Sequence, residues 1–302
     1  MRPASVCRIT ALACALALAS RTPGRAQGAG AVPARASYPF AFADGTAGDY
    51  LDELRVSARL DTVTAGAISD LERVRAVSAW THRRCGGAAG DFGVLDLLSE
   101  PTGVRSPGAA APEAVACTSA EYATIARDAL VALGISARAV EIGPPKGSAG
   151  ALPEPYVLAE AYLRDAGKWV VFDPRADVAP LLRGIPLNAH EFGEALVQHP
   201  YAVTLTAAAG DVAGERRRDY LNFVGARLRH LSTDFDQRPG PRPDGVITHG
   251  IHRGLYLAPA DGTAEAQGPR PADLVYTARP QRFYPTPPRI TSPGPGRPAT
   301  TE

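Results

Sequence analysis

The chain has almost no excess of charge of either sign, which argues against one large class of partner. Its 302 residues include 32 Lys and Arg against 31 Asp and Glu, a formal net charge of +1. Surfaces that bind nucleic acid are usually strongly basic. We therefore expect no nucleic-acid partner, and the charge balance says little about a substrate.

The sequence also lacks a long hydrophobic run beyond its N-terminus. Arg2 and Arg8 precede an apolar run over residues 9–19, which is about half of what a bilayer span requires. Small residues follow, and the segments ending at Ala19 and at Gly28 resemble cleavage sites. The pattern predicts a signal peptide and cleavage region over 1–28, export to the periplasm or the exterior, and no stable membrane insertion. An uncleaved amphipathic start or a lipid anchor at Cys14 fits this order less well.

Cysteines are few, four in all, and cleavage would leave only Cys85 and Cys117. Two cysteines do not make a disulfide framework, although an exported protein could oxidise such a pair. Sequence cannot place the two within disulfide reach. We favour the interpretation that Cys85 is a buried spacer, with pairing to Cys117 as the alternative.

Glycine and proline are abundant instead, with 30 and 28 residues, and the prolines crowd toward the C-terminus. The composition predicts an N-terminal leader and lead-in over 29–68, a core over 69–196 and a helical extension over 197–236. Residues 237–302 are predicted to be a Pro/Gly-rich tail with short β pieces at 254–258 and 274–277.

Local patterns predict the elements of the core. Ser69 or Asp70 can cap a helix that ends near Cys85, and Thr118 with Glu121 forms a capping box that opens a helix beside Cys117. Further elements are expected as a strand over 137–142, a hairpin of 157–163 and 168–172, a helix opened by Asn188 and Glu191, and a helix over 219–231.

A cysteine at a helix N-terminus is suited to nucleophilic chemistry. The helix dipole and the free backbone N–H groups favour the thiolate, and the same N–H groups can hold an oxyanion. A working site also needs a base to take the thiol proton, normally a histidine, and a carboxylate to orient that base.

Three segments in order resemble one known family. They are Ala-Cys-Thr-Ser-Ala-Glu-Tyr-Ala at 116–123 with Leu-Gly-Ile-Ser-Ala-Arg at 133–138, Ala-Glu-Ala-Tyr-Leu at 159–163, and Gly-Lys-Trp-Val-Val-Phe-Asp-Pro at 167–174. Together they resemble the nucleophile helix, histidine strand and aspartate strand of transglutaminase-like domains. The resemblance covers roughly residues 69–196. It implies an α+β fold with a papain-like core, in which the helix bearing the nucleophile position packs on an antiparallel β-sheet.

The resemblance also implies site residues, and one departs from the family pattern. Cys117 matches the nucleophile and Asp173 the orienting carboxylate. The family histidine lies four residues before the glutamate that matches Glu160, and that position is Tyr156. A phenol with a pKa near about 10 is a poor general base beside imidazole near about 6.5. Losing a triad member commonly reduces the rate by orders of magnitude.

Another histidine could replace the missing base. His82 is the strongest candidate because it lies near the end of the first core helix; the alternative is a polar residue on a helix end. His249 and His252 are two metal-type ligands without a third, so no metal site is expected. No loop has the acidic spacing of a calcium site, and no cofactor is implied.

The sequence therefore leads to two main hypotheses. The first is an exported, catalytically degenerate transglutaminase-like protein that binds a peptide or an envelope partner in the family cleft. The alternative is an active cysteine peptidase, amidase or acyl transferase that uses Cys117. A mainly structural exported protein whose tail is the interaction surface ranks third. Oligomeric state is left open.

Overall fold

Helices occur together with mainly antiparallel sheets, which makes the protein α+β. The structure is a computed structural model that describes residues 38–43, 48–86, 117–143, 156–240, 248–257 and 272–290. Seven helices and ten strands lie within these ranges. The predicted signal peptide over 1–28, the leader residues that follow it through 37, and the end of the tail lie outside them.

Three of the described helices precede Cys117 in the chain. They are α1 (Gly48–Ser57), α2 (Leu60–Val63) and α3 (Asp70–Arg84). The predicted cap of α3 is confirmed, because the Ser69 side chain accepts a hydrogen bond from the Glu72 backbone N–H. The helix ends at Cys85, its C-cap residue.

The helix beside Cys117 is α4 (Ser119–Ala132). Thr118 is its N-cap, and the predicted capping box with Glu121 is present in both directions. Cys117 therefore lies one residue before the cap. The buried face of α4 packs on β1 and β2 and against α3.

Ten strands form two sheets. Strands β1 (Ala137–Ile142), β2 (Tyr156–Leu163), β3 (Lys168–Phe172), β8 (Leu231–Asp234), β9 (Gly254–Leu257) and β10 (Leu274–Thr277) form the larger, ordered β10-β9-β8-β1-β2-β3. Strands β4 (Ala179–Leu182), β5 (Ile185–Pro186), β6 (Val203–Ala207) and β7 (Gly210–Val212) form the smaller, ordered β5-β4-β6-β7.

The larger sheet contains the predicted hairpin and extends well beyond it. β2 and β3 pair antiparallel, and Gly167 in their turn has φ of 61°, a left-handed value that suits glycine. The sheet is antiparallel except that β9 and β10 run parallel. Because β8 pairs with β1, and β9 with β8, segments of the predicted helical extension and tail belong to the same sheet as the core.

Two longer helices follow the β2–β3 hairpin in the chain. α5 (Ala189–Gln198) is capped by Asn188 with Glu191, as its sequence predicts. α6 (Gly214–Gly225) begins five residues before the predicted start at 219 and ends six before the predicted end at 231. Both predicted bounds were wrong, and the end was placed too late because Leu228 and Leu231 are buried beyond the helix, where Leu231 opens β8.

The C-terminal segment closes over a fully buried ion pair. Arg138 on β1 and Glu160 on β2 are 0 % exposed, with Arg138 Nη2 and Glu160 Oε2 2.7 Å apart. The Arg138 guanidinium lies against the rings of Trp169, Phe283 and Tyr284 and donates to the Phe283 carbonyl at 2.7 Å. Phe283 is the last residue of α7 (Pro280–Phe283).

Candidate functional site

Cys117 is bonded to Cys85 in a disulfide. Their Cα atoms lie 5.4 Å apart, within the usual range for such bridges. The prediction that Cys85 is a spacer is therefore wrong. The packing of α3 against α4 places the C-cap of one beside the N-terminus of the other, across 32 residues of sequence. In this form the sulfur of Cys117 is no thiolate and cannot attack a carbonyl.

Tyr156 and Asp173 lie in hydrogen-bond contact at the end of the hairpin. Tyr156 is the first residue of β2, and Asp173 directly follows β3. The Tyr156 hydroxyl lies 3.2 and 3.0 Å from the two carboxylate oxygens of Asp173 and donates to them. The antiparallel register, which pairs Ala159 with Phe172, places the two residues near each other. Both are buried.

Three more donors converge on the same carboxylate. The Tyr220 hydroxyl of α6 donates to Oδ2 at 3.1 Å, and the backbone N–H groups of Arg175 and Ala176 donate to Oδ1 at 2.9 and 3.0 Å. Burial raises the pKa of Asp173, and the donors from Ala176, Tyr156 and Tyr220 oppose that rise. Burial also raises the pKa of Tyr220 well above its ordinary value, and the nearby Asp173 charge raises it further. The phenol of Tyr220 therefore keeps its proton at neutral pH and acts here as a hydrogen-bond donor.

His82 lies beside this group on the last turn of α3. It is buried, and its Nδ1 is 2.8 Å from the carbonyl oxygen of Arg175, two residues after Asp173. Its ring centroid is 6.5 Å from that of Tyr122, whose hydroxyl donates to the Cys85 carbonyl at 3.3 Å. Burial raises the pKa of Tyr122. His82 is thus a core residue that bridges α3 to the turn after β3, close to the disulfide.

The N-terminus of α4 is tied to the start of β2. The Ser119 hydroxyl accepts from the Val157 backbone N–H at 3.3 Å. This contact holds the element after Cys117 next to the strand that begins at Tyr156. Of the three predicted site residues, Tyr156 and Asp173 are hydrogen-bonded to each other, and Cys117 forms a disulfide with Cys85.

Sequence reasoning missed Tyr220 as a member of this group. Its helix was predicted to begin near residue 219, so Tyr220 fell in the first turn of a helix with no reason to face the hairpin. The ring of Phe223, one turn on, packs edge-to-face on Tyr156 with centroids 5.0 Å apart. An aromatic pair spaced by three residues, Tyr220 and Phe223, was the available signal for a buried face.

Among the residues that the structure describes, no cluster of three or more His, Cys, Asp or Glu side chains could hold a metal ion. His249 and His252 pair with each other through their backbones in a tight bridge. The buried His230 contacts the Tyr256 hydroxyl. Within the same described ranges, no helix has both the length and the apolar character of a membrane span.

Comparison of the chain with protein-family models, with curated proteins and with solved structures finds no match in any of the three.

Proposed function

We propose that this chain is an exported transglutaminase-like protein with a papain-like core, that it has lost thiol catalysis, and that it binds a peptide or an envelope partner. The proposal rests chiefly on the bond between Cys117 and Cys85. A thiol enzyme needs a free thiolate at this position. A disulfide here is consistent with an oxidising compartment. It is also consistent with a structural role for Cys117, which links the start of α4 to the end of α3.

The environment of Asp173 supports the same proposal. A catalytic carboxylate would orient an imidazole whose other nitrogen faces the nucleophile. Here the carboxylate accepts from two phenols and two backbone N–H groups. These four donors satisfy a buried acceptor-only group, so Tyr156 acts as a hydrogen-bond donor within a packed network.

The test uses the chain from residue 29, which lacks Cys7 and Cys14, with a fluorescent iodoacetamide at neutral pH. The oxidised protein should not label. After reduction by dithiothreitol, Cys117 should label no faster than a small-molecule thiol of ordinary pKa, and Asp173→Asn should leave that rate unchanged. Rapid labelling that Asp173→Asn abolishes, or hydrolysis of a peptide amide that Cys117→Ser abolishes, would overturn the proposal.

The second candidate is a cysteine peptidase, amidase or acyl transferase that becomes active when the disulfide is reduced. Its specific support is His82, a buried imidazole near the disulfide, held through Nδ1 by the Arg175 carbonyl. In that scheme His82 would replace the missing family histidine. A thiol labelling rate after reduction that rises with a pKa near neutrality, and that His82→Gln abolishes, would favour this candidate over the first.

A further inference from the structure

A groove of about 790 Å³ lies between α5 and α6, away from Cys117. Its walls come from residues 190–201 and 217–231, with Leu257 of β9. None of the lining residues belongs to the group around Cys117, Tyr156, Asp173 and His82. Grooves of this size accommodate one drug-sized ligand or one segment of peptide rather than a whole protein surface.

Apolar side chains line most of the groove. They come from α5, from α6, from the turn that follows each helix and from β9: Leu196, Val197, Tyr201, Leu221, Leu228 and Leu257. Two of them are strongly exposed, Val197 at 72 % and Tyr201 at 96 %. An exposed tyrosine and valine beside a leucine-lined groove are typical of a surface that a partner covers.

The rim of the groove is predominantly basic. Arg217, Arg218 and Arg229 line it, against the single carboxylate of Glu194. Arg217 has a structural task, because it donates to the carbonyls of Pro200 and Val203 and so fixes the turn after α5. Arg218 and Arg229 are exposed, and the contacts of Arg218 with Glu215 and Asp219 are long, at 3.5 and 3.4 Å.

Helix α5 lies close to the turn that follows α6. A Cβ added at Gly193 of α5 would lie 3.2 Å from the Leu228 carbonyl oxygen, a tight contact that requires the turn to shift by a few tenths of an ångström. At Gly225 on α6 a Cβ would meet Leu196 only at ordinary contact distance, 3.5 Å. Gly193, Gly225 and the exposed Ala226 all line the groove.

We propose that this groove, which we call the α5–α6 groove, binds an amphipathic segment of a partner protein that presents leucine-type side chains flanked by carboxylates. The inference goes beyond the proposed function because it names a surface separate from the cleft at Cys117. A helix that lays an apolar stripe between two helices uses a common mode of peptide recognition. Carboxylates on its flanks complement Arg218 and Arg229, whereas a basic segment would meet like charges.

The probe is a fluorescein-labelled peptide of about 16 residues, long enough for substantial helix, with Leu at positions spaced three and four apart and Glu beside them. A second peptide replaces every Glu by Lys, and a third replaces every Leu by Ser. Binding to the chain from residue 29 is followed by fluorescence anisotropy at low and at high salt. We expect the Glu peptide to bind at least about tenfold more tightly than either counterpart, and more weakly as salt rises.

Variants of the protein assign the binding to the α5–α6 groove. Ala226→Trp should place a large side chain in the groove and weaken binding by about tenfold or more. The single variants Arg218→Glu and Arg229→Glu should each weaken it by about threefold to tenfold. Arg83→Glu, an exposed helix arginine on α3, is the matched control and should have no effect. The arginine variants lie on the surface, so they remain informative if Ala226→Trp fails to fold by circular dichroism.

Three results would overturn the inference. They are a dissociation constant for the Glu peptide weaker than about 1 mM, equal binding of the Glu and Lys peptides, or binding that none of the groove variants changes. A dimer in light scattering that Ala226→Trp abolishes would assign the groove to a second copy instead. The proposed function is tested separately, by the labelling of Cys117. Neither cysteine lines the groove, so the Cys85→Ser, Cys117→Ser double variant should bind the Glu peptide as the parent does.

Discussion

The hydroxyl of Tyr156 donates to the carboxylate of Asp173, at 3.2 Å from Oδ1 and 3.0 Å from Oδ2. In the transglutaminase-like assignment that we propose, a histidine would be expected at the position of Tyr156. The phenol keeps the contact with the aspartate but supplies no group that can take a proton from a thiol at neutral pH. With Tyr220 on the other side, the aspartate becomes the centre of a buried network that joins β2, β3 and α6.

Tyr156→Phe should therefore destabilise the protein. The substitution removes one donor from a buried carboxylate while the aromatic packing on Phe223 stays. We expect the free energy of unfolding in urea to fall by about 1–3 kcal/mol. Tyr201→Phe is the matched control, since Tyr201 is 96 % exposed and its change should stay within about 0.5 kcal/mol. Equal effects of the two substitutions would refute the network.

Reduction of the disulfide should destabilise the chain without abolishing its fold. The bridge closes a loop with a sequence separation of 32 residues, so its loss should lower the free energy of unfolding by about 2–4 kcal/mol. Urea denaturation with and without dithiothreitol measures the difference. The Cys85→Ser, Cys117→Ser double variant should match the reduced parent and should not respond to dithiothreitol. A parent protein whose unfolding is insensitive to the reductant would contradict the bridge.

Local signals in the sequence predicted the elements around the site well. The caps at Ser69, Thr118 and Asn188, and the turn at Gly167, each depend on residues within three positions in sequence, so a short window of sequence is enough to predict them. The hairpin followed from the same kind of signal, and the contact between Tyr156 and Asp173 is a consequence of its register.

Long-range relationships could not be predicted in the same way. The pairing of Cys85 with Cys117 depends on how α3 packs on α4, and the distance between two cysteines in space cannot be inferred from their positions in the sequence. The predicted end of α6 was wrong because the helical spacing of leucines continues to Leu228 and Leu231. Both residues lie beyond the helix, and Leu231 belongs to a strand of the larger sheet. The packing of Phe283 and Tyr284 against the Arg138 guanidinium could not be predicted either, because the Pro/Gly-rich composition of the tail gives no indication of where it packs.

Removing one member of the buried ion pair should destabilise the protein much more than removing both. Arg138→Met leaves Glu160 buried without its cation, although the Ala189 N–H and the Tyr284 hydroxyl still donate to it at 2.8 and 3.2 Å. The single substitution should lower the free energy of unfolding by about 3–5 kcal/mol. Arg138→Met with Glu160→Leu should recover part of that loss, and chemical denaturation of the four proteins in a double-mutant cycle gives the coupling. Additive effects of the two substitutions would contradict a coupled pair.

Asp70 should make the stability of the protein sensitive to acid. Its carboxylate receives Arg164 Nε and Nη2 at 2.9 and 2.8 Å, and this contact lowers the pKa of Asp70 below its ordinary value of 3.8. Because the folded state binds the proton more weakly than the unfolded state, the stabilisation is complete above that ordinary value and is lost as the pH falls through the lowered pKa. Asp70→Asn should cost about 1–2 kcal/mol at neutral pH, a modest value because Arg164 is half exposed.

The gap between the parent and Asp70→Asn should be constant above about pH 5 and should narrow below about pH 4. Urea denaturation at a series of pH values measures it. The control is Asp52→Asn on α1, an exposed position at which the gap should be small and flat. A gap for Asp70→Asn that stays constant down to about pH 2 would show that the ion pair with Arg164 does not contribute through its charge.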